Sequence, residues 1–327
     1  KTTITSSSTV SSAIQITGKG TGTSRTIVGM EVETSSPLSI LATGDGGGIS
    51  LSTGQSSTST GDKYDFIARS TFELLAKDGP INMTSIEDGA EEGILYFSSL
   101  PYFGSRAGSS ITESSSDILI QHDKFIWGSN EPQIATTGQV AIKPYRDSFT
   151  NNPVETDWFG FNKNGQIMSG LTIGKPGNTS DITHNTDAIT VAGPISMYGG
   201  NIAINKNLTS TATDADILLK AAENITQGNY VDISTNGGDV VYWADSDENG
   251  AGYISFASLG GQDIVTNGGN VVMAGGAGTT LPTGYANGST TAPGISFNYN
   301  SNILESFIIN TTKAGSAGGN ITLKGKT

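Results

Sequence analysis

Four places in the chain carry one short pattern: two glycines, an Asn or Asp, then an apolar–any–apolar triplet. They read Gly199-Gly200-Asn201-Ile202-Ala203-Ile204, Gly237-Gly238-Asp239-Val240-Val241-Tyr242, Gly268-Gly269-Asn270-Val271-Val272-Met273 and Gly318-Gly319-Asn320-Ile321-Thr322-Leu323. The triplet alternates with period two and keeps one face apolar, as a half-buried strand does. The glycine pair permits a sharp corner before the strand. The Asn or Asp satisfies backbone groups at that corner and, in stacked copies, would form a ladder. The Asn/Asp positions fall at 201, 239, 270 and 320, so the spacing is unequal. Each interval holds two further apolar triplets, such as Tyr253–Phe256 and Asp263–Val265 after position 239. Three strands per coil, with variable loops at the corners, is the expectation: an all-β, right-handed parallel β-helix whose equivalent strands stack coil on coil.

Composition agrees. The 44 glycines exceed the roughly 23 expected at ordinary usage, and the 14% of charged residues lies well below the roughly 25% of a typical domain. No window shows a sustained helical period; Phe72–Lys77 is the best short helical candidate. In the first half the strand candidates are Ala13–Ile16, Leu38–Ile40, Ile49–Leu51, Ile81–Met83, Ile94–Phe97, Ile118–Ile120 and Val140–Ile142, followed by Leu171–Ile173 and Ile189–Val191. With no composition break, the expectation is one solenoid over 1–327, carrying a decorated loop near 144–168.

A net charge of −13 argues against nucleic acid or an anionic membrane surface as partner and leaves room for a cation. There is no cysteine, so a large continuous core must take the place of disulfides. No stretch reaches the roughly 18 apolar residues of a membrane span, and membrane insertion is not expected. The chain opens Lys1-Thr2-Thr3-Ile4 and stops at Gly325-Lys326-Thr327, so a piece of a longer, processed protein is expected.

The segment 187–252 resembles the β-helical shafts of large bacterial surface adhesins, of the filamentous-haemagglutinin-like and giant β-strand-repeat types. The resemblance rests on Gly199–Asn205, Leu208–Ala212, Asp216–Ala222 and Trp243–Asp247, with Gly319–Gly325 at the end. It implies a right-handed β-helix, an extracellular or cell-surface location and a structural, adhesive role without catalytic residues. The implied partners are other segments of the same giant chain, and host or surface glycans or proteins.

Two other classes stand beside it. Many polysaccharide-cleaving enzymes are β-helices, and such chemistry needs clustered carboxylates. The nearest approach is Asp181 and Asp187 flanking His184, which reads more simply as a polar turn; His122 reads as a solvated loop residue. Lys143 and Arg146 are the candidates for a lyase base. A filament or sheath subunit is the third class. The run Gly44–Gly48 lacks the Lys-Ser/Thr of a phosphate loop, and the outward residues Ala203, Val241, Val272 and Thr322 form no ice-binding Thr row. Asn-x-Ser/Thr sequons such as those at Asn82, Asn178, Asn207, Asn224 and Asn310 match what a Ser/Thr/Asn-rich chain gives by chance.

Two local features invite a site. Asp245-Ser246-Asp247-Glu248-Asn249-Gly250 fits the first half of a calcium loop, but its twelfth position is Phe256, so an EF-hand is excluded. The corner either takes calcium loosely through Asp245, Asp247 and Asn249 or turns with Gly250; no cofactor is required. The aromatic cluster of Tyr145, Phe149, Trp158, Phe159 and Phe161 either seals the flank of the core or offers Tyr145, Trp158 and Phe159 as a sugar- or partner-binding platform.

Overall fold

The computed structural model describes residues 2–22, 26–57, 62–86, 93–128, 130–185, 187–257, 260–288, 293–297 and 307–326. Among these the protein is all-β, and its only helical segments are the 3-10 turns Thr156–Trp158 and Lys163–Gly165. The chain forms two compact units, residues 1–151 with 158–169, and residues 152–157 with 170–327.

In the first unit three parallel strand runs are filled in rotation. One holds Thr2–Ser6, Leu38–Ala42, Phe72–Ala76, Pro101–Gly104 and Gln133–Ala135. The next holds Ile14–Gly22, Ile49–Ser57, Ile81–Ser85, Ile118–Gln121 and Gln139–Lys143. The third holds Thr26–Val32, Asp62–Ala68, Ile94–Phe97 and Lys124–Trp127. Every strand therefore hydrogen-bonds not to its sequence neighbour but to the strand three places on, as in Ile81↔Ile118 and Ile118↔Val140. The inward residues stack: Ile49, Leu51, Ile81, Met83, Ile120 and Ile142 are all fully buried. A column of rings fills the middle, with Phe97 5.7 Å from Phe66, 6.2 Å from Phe72 and Phe103, and 5.3 Å from Trp127.

Phe72–Ala76 is a strand, not the short helix its composition suggests. All five of its residues are buried. Leu75 packs outward against Leu41 and Ile111, which the excursion 105–117 lays over it. A strand covered on both faces loses its alternation and then looks like any apolar run.

The second unit repeats the arrangement. Gly170–Ile173, Ile195–Gly199, Ile217–Ala221, Val240–Ala244, Val271–Gly275 and Ile321–Leu323 form one parallel run. Val154–Glu155, Ile182–His184, Ile202–Ile204, Ile225–Gln227, Ile254–Phe256 and Ile295–Phe297 form the second. Ile189–Val191, Leu208–Thr213, Ile233–Asn236, Asp263–Val265 and Ile308–Asn310 form the third. Met197, Leu219, Tyr242, Met273 and Leu323 occupy one register column. The first four are fully buried, and Leu323, on the last strand, is 45% exposed.

The four glycine-led copies do not all sit in one place. Those at 239, 270 and 320 share a sheet, with Val240↔Val271↔Ile321. The copy at 201 leads the strand Ile202–Ile204 of another sheet, which pairs with Ile225–Gln227. The interval from 201 to 239 thus holds four strands rather than two. Corners of different sheets converge on one local sequence because each needs the same thing, a close approach followed by a side-chain acceptor.

That acceptor builds three ladders. The Asp239 amide donates to Asp216 Oδ1 at 2.7 Å, that of Asn270 to Asp239 Oδ1 at 2.7 Å, and that of Asn320 to Asn270 Oδ1 at 2.8 Å. A second ladder runs Asn152, Asp181, Asn201, Asn224 and the amide of Tyr253, with bonds of 2.8–3.3 Å. A third joins Asn207, Asp232 and Asp263. Each rung gives an otherwise unpaired N–H at the start of a strand a partner. Truncating Asn270 to Ala removes its amide bonds to Asp239 and strips the Asn320 amide of its acceptor. The expected loss is about 1–2 kcal/mol in denaturant unfolding. Equal stability of the variant would show that the rungs carry no weight.

Candidate functional site

The corner 245–250 follows directly on the strand Val240–Ala244. Asp245 adopts left-handed φ of 49° and is 1% exposed. Its carboxylate accepts the Gly250 amide at 3.0 Å and the side-chain amide of Asn287. Asp247 and Asn249 are exposed and bonded to each other, with Nδ2 of Asn249 2.9 Å from Asp247 Oδ2. The Asn249 side chain accepts the Ala251 amide at 2.8 Å. The three residues read as calcium ligands thus make an Asx turn and anchor it to the segment that packs beside it. Among the described residues no group of three or more His, Cys, Asp or Glu is arranged to hold a metal ion. Phe256 is buried, its ring tilted against that of Tyr242 at 5.9 Å.

The aromatic cluster separates into inward and outward rings. Phe159 is 3% exposed and meets Phe125 at 5.4 Å and Trp127 at 5.5 Å, both edge to face. Phe149 is 4% exposed and lies 5.9 Å from Phe125. These rings extend the core column. Trp158 is half-buried and Tyr145 is 37% exposed. Of the three residues read as a platform, Phe159 is a core ring and does not face the solvent with the others.

Neither histidine behaves as the sequence suggests. His122 is fully buried, not solvated, with Nδ1 3.6 Å from Asp65 Oδ2. His122 directly follows the strand Ile118–Gln121, whose last residue pairs with Thr84 of the neighbouring strand. Asp65 also accepts the Ser85 hydroxyl, and Asp123 accepts the Arg146 amide at 2.8 Å, with Arg146 Nε 3.7 Å from Oδ2. Arg146, a candidate lyase base, is thereby held against a buried carboxylate.

His184 lies in the strand Ile182–His184 rather than a turn, at an inward position in register with Ile204, Gln227 and Phe256. Its Nδ1 is 2.7 Å from Thr156 Oγ1 and its Nε2 is 3.4 Å from the Asn207 carbonyl. Asp181 is spent in the second ladder and Asp187 is exposed; Thr186, between them, lies outside the described residues. Burial is the chief cause that pulls the imidazole pKa down to about 4. The unfolded chain, with a value near 6.5, binds this proton first. The neutral-histidine contribution is therefore fully present above about pH 6.5 and is lost as the pH falls toward about 4. It amounts to about 3 kcal/mol. Replacing His184 by Gln removes that slope from a plot of unfolding free energy against pH; an unchanged slope would contradict the assignment.

One open cleft of about 690 Å³ lies in the first unit. It is bounded by the excursion 105–117 and the turn 162–166 and includes Ile111, Thr112, Glu113, Thr137, Asn164 and Gln166. The sequence gives no sign of it, because its walls are ordinary polar loops, which the buried Gln166 side chain joins. In the second unit the inner pair Tyr242 and Gln227 is internally satisfied: the phenol donates to Gln227 Oε1 at 2.5 Å and Gln227 Nε2 donates to the Val231 carbonyl at 2.7 Å.

No family model matches this sequence, and no curated protein or solved structure matches it.

Proposed function

We propose that the chain is a right-handed parallel β-helix with three strands per coil, serving as a structural and adhesive shaft segment of a large bacterial surface or secreted protein. The observation that carries this reading is the parallel pairing of most strands with the strand three places on, locked at its corners by the Asn/Asp ladders. The right-handed sense follows the rule for crossovers between parallel strands. Stacked apolar columns and continuous backbone ladders make such a coil stiff, which suits a part that holds binding elements away from a cell. No catalysis is proposed: Asp181 is engaged in a ladder and Arg146 is held against Asp123. The corner at Asp245 is proposed as a turn; calcium held through Asp247 and Asn249 is the competing use. Melting that rises with calcium in the parent chain and not in Asp247→Ala would favour the metal.

The location is tested by labelling the native source with antibodies to this chain and imaging by electron microscopy. Label on projections from the cell surface is the expected result. Label confined to the cell interior would overturn the proposal, and polymers built of repeated copies of this chain would favour a filament subunit instead.

A further inference from the structure

The cleft of the first unit is braced by side-chain hydrogen bonds between its two walls. Gln166, 7% exposed, clamps its two walls: Oε1 accepts the Ser114 amide at 3.0 Å, and Nε2 donates to Ser105 Oγ at 2.6 Å and the Thr112 carbonyl at 3.3 Å. The Thr136 hydroxyl donates to the Ser116 carbonyl at 2.7 Å and fixes the end of the excursion. The facing turn holds Asn162, Asn164 and Gly165 at φ of 55°, 56° and 70°, costly for the two asparagines and kept only by their surroundings. The volume of about 690 Å³ falls within the range of small-ligand sites.

Its chemistry narrows the ligand. The one large apolar group in the lining is Ile111, itself packed on Leu41, Leu75 and Tyr102. The rim presents Thr112, Glu113, Thr137 and Asn164, all exposed. Hydroxyl and amide groups both donate and accept, as the hydroxyls of a sugar do. The one cation in the lining, Lys77, is paired with Asp45, while Asp78 and Glu113 add negative charge to a chain already at −13. An anionic ligand is disfavoured by that field.

We propose that this cleft binds a neutral oligosaccharide. The inference stands apart from the shaft reading, since a shaft needs no such cleft. The full chain is screened against neutral oligosaccharides, uronate-containing oligosaccharides and a peptide library, and hits are measured by titration calorimetry. Neutral glycans bind, and Thr137→Tyr or Thr112→Tyr, each filling the cleft from an exposed position, weakens binding by at least about tenfold while the melting temperature holds. Glu113→Gln leaves the preference for neutral glycans in place. Binding only of uronates or peptides, binding of nothing, or neutral-glycan binding indifferent to both Tyr variants would each overturn the proposal.

Discussion

Replacing Gly269 by Ala destabilises the second unit by at least about 3 kcal/mol, read from denaturant unfolding. A Cβ placed there lies 2.0 Å from the Gly238 carbonyl oxygen and 2.4 Å from its carbon. Both are backbone atoms of the preceding corner. They cannot yield without parting Val240–Ala244 from Val271–Gly275, whose five register pairs hold them. The same contact recurs one strand on, where Gly319 meets the Gly269 oxygen at 2.0 Å, and one strand back, where Gly238 meets that of Ala215. Gly250→Ala is the control. Its φ of 85° strains an alanine, yet no atom lies within 4 Å of the new methyl, so its cost stays at roughly 1–2 kcal/mol. Equal losses at 269 and 250 would mean that the corners do not stack as described.

The second large effect is Phe97→Ala, at about 3–5 kcal/mol. Phe97 is fully buried and touches four aromatic rings of two strand runs: Phe66 and Trp127 of its own, and Phe72 and Phe103 of another. Its removal opens a cavity that rigid, mutually braced rings fill poorly. Phe297→Ala in the second unit is the counterpart, because that ring is 42% exposed on a terminal strand. It is expected to cost less than about 1 kcal/mol beyond its own lost area. Comparable losses at both positions would deny the ring column its role in the core.

What could be seen from sequence depended on which faces of a strand are covered. Ile217–Ala221 and Ile254–Phe256 alternate buried and half-buried residues, so their apolar positions repeat every second residue and announce them. Val240–Ala244 is buried throughout because a later segment covers its outer face, where Trp243 donates to the Gly276 carbonyl at 2.7 Å and Lys220 lies 3.7 Å over the indole. That strand was legible only through its glycine corner. The phase of the repeat was misread at 201 for the same reason, since the corner sequence marks a need and not a place. His122 and His184 read as surface turns because strands of three or four residues offer too few positions to show which side a histidine faces. The Asp181-Ile182 step before His184 nevertheless repeats the ladder signal of Asn201-Ile202 and Asn224-Ile225. Among the aromatics, clustering in sequence announced a packed group but not its orientation: Phe149 and Phe159 turn in while Tyr145 turns out. The cleft left no sequence signal, because its walls are polar loops far apart in the chain, joined through Gln166.

The stacking of every third strand is the claim on which the rest stands, and the absence of cysteine makes it directly measurable. Thr226 and Ser255 are register partners on adjacent parallel strands. Opposed residues there stand about 4.8 Å apart, within the range a disulfide spans. Ser234, only eight residues beyond Thr226, belongs to a different strand run. Mild oxidation of the folded Thr226→Cys/Ser255→Cys variant is expected to form an intramolecular disulfide, and the Thr226→Cys/Ser234→Cys variant is expected to stay reduced. A bond between 226 and 234 with none between 226 and 255 would mean that neighbouring strands pair as hairpins, and the stacked account would be wrong.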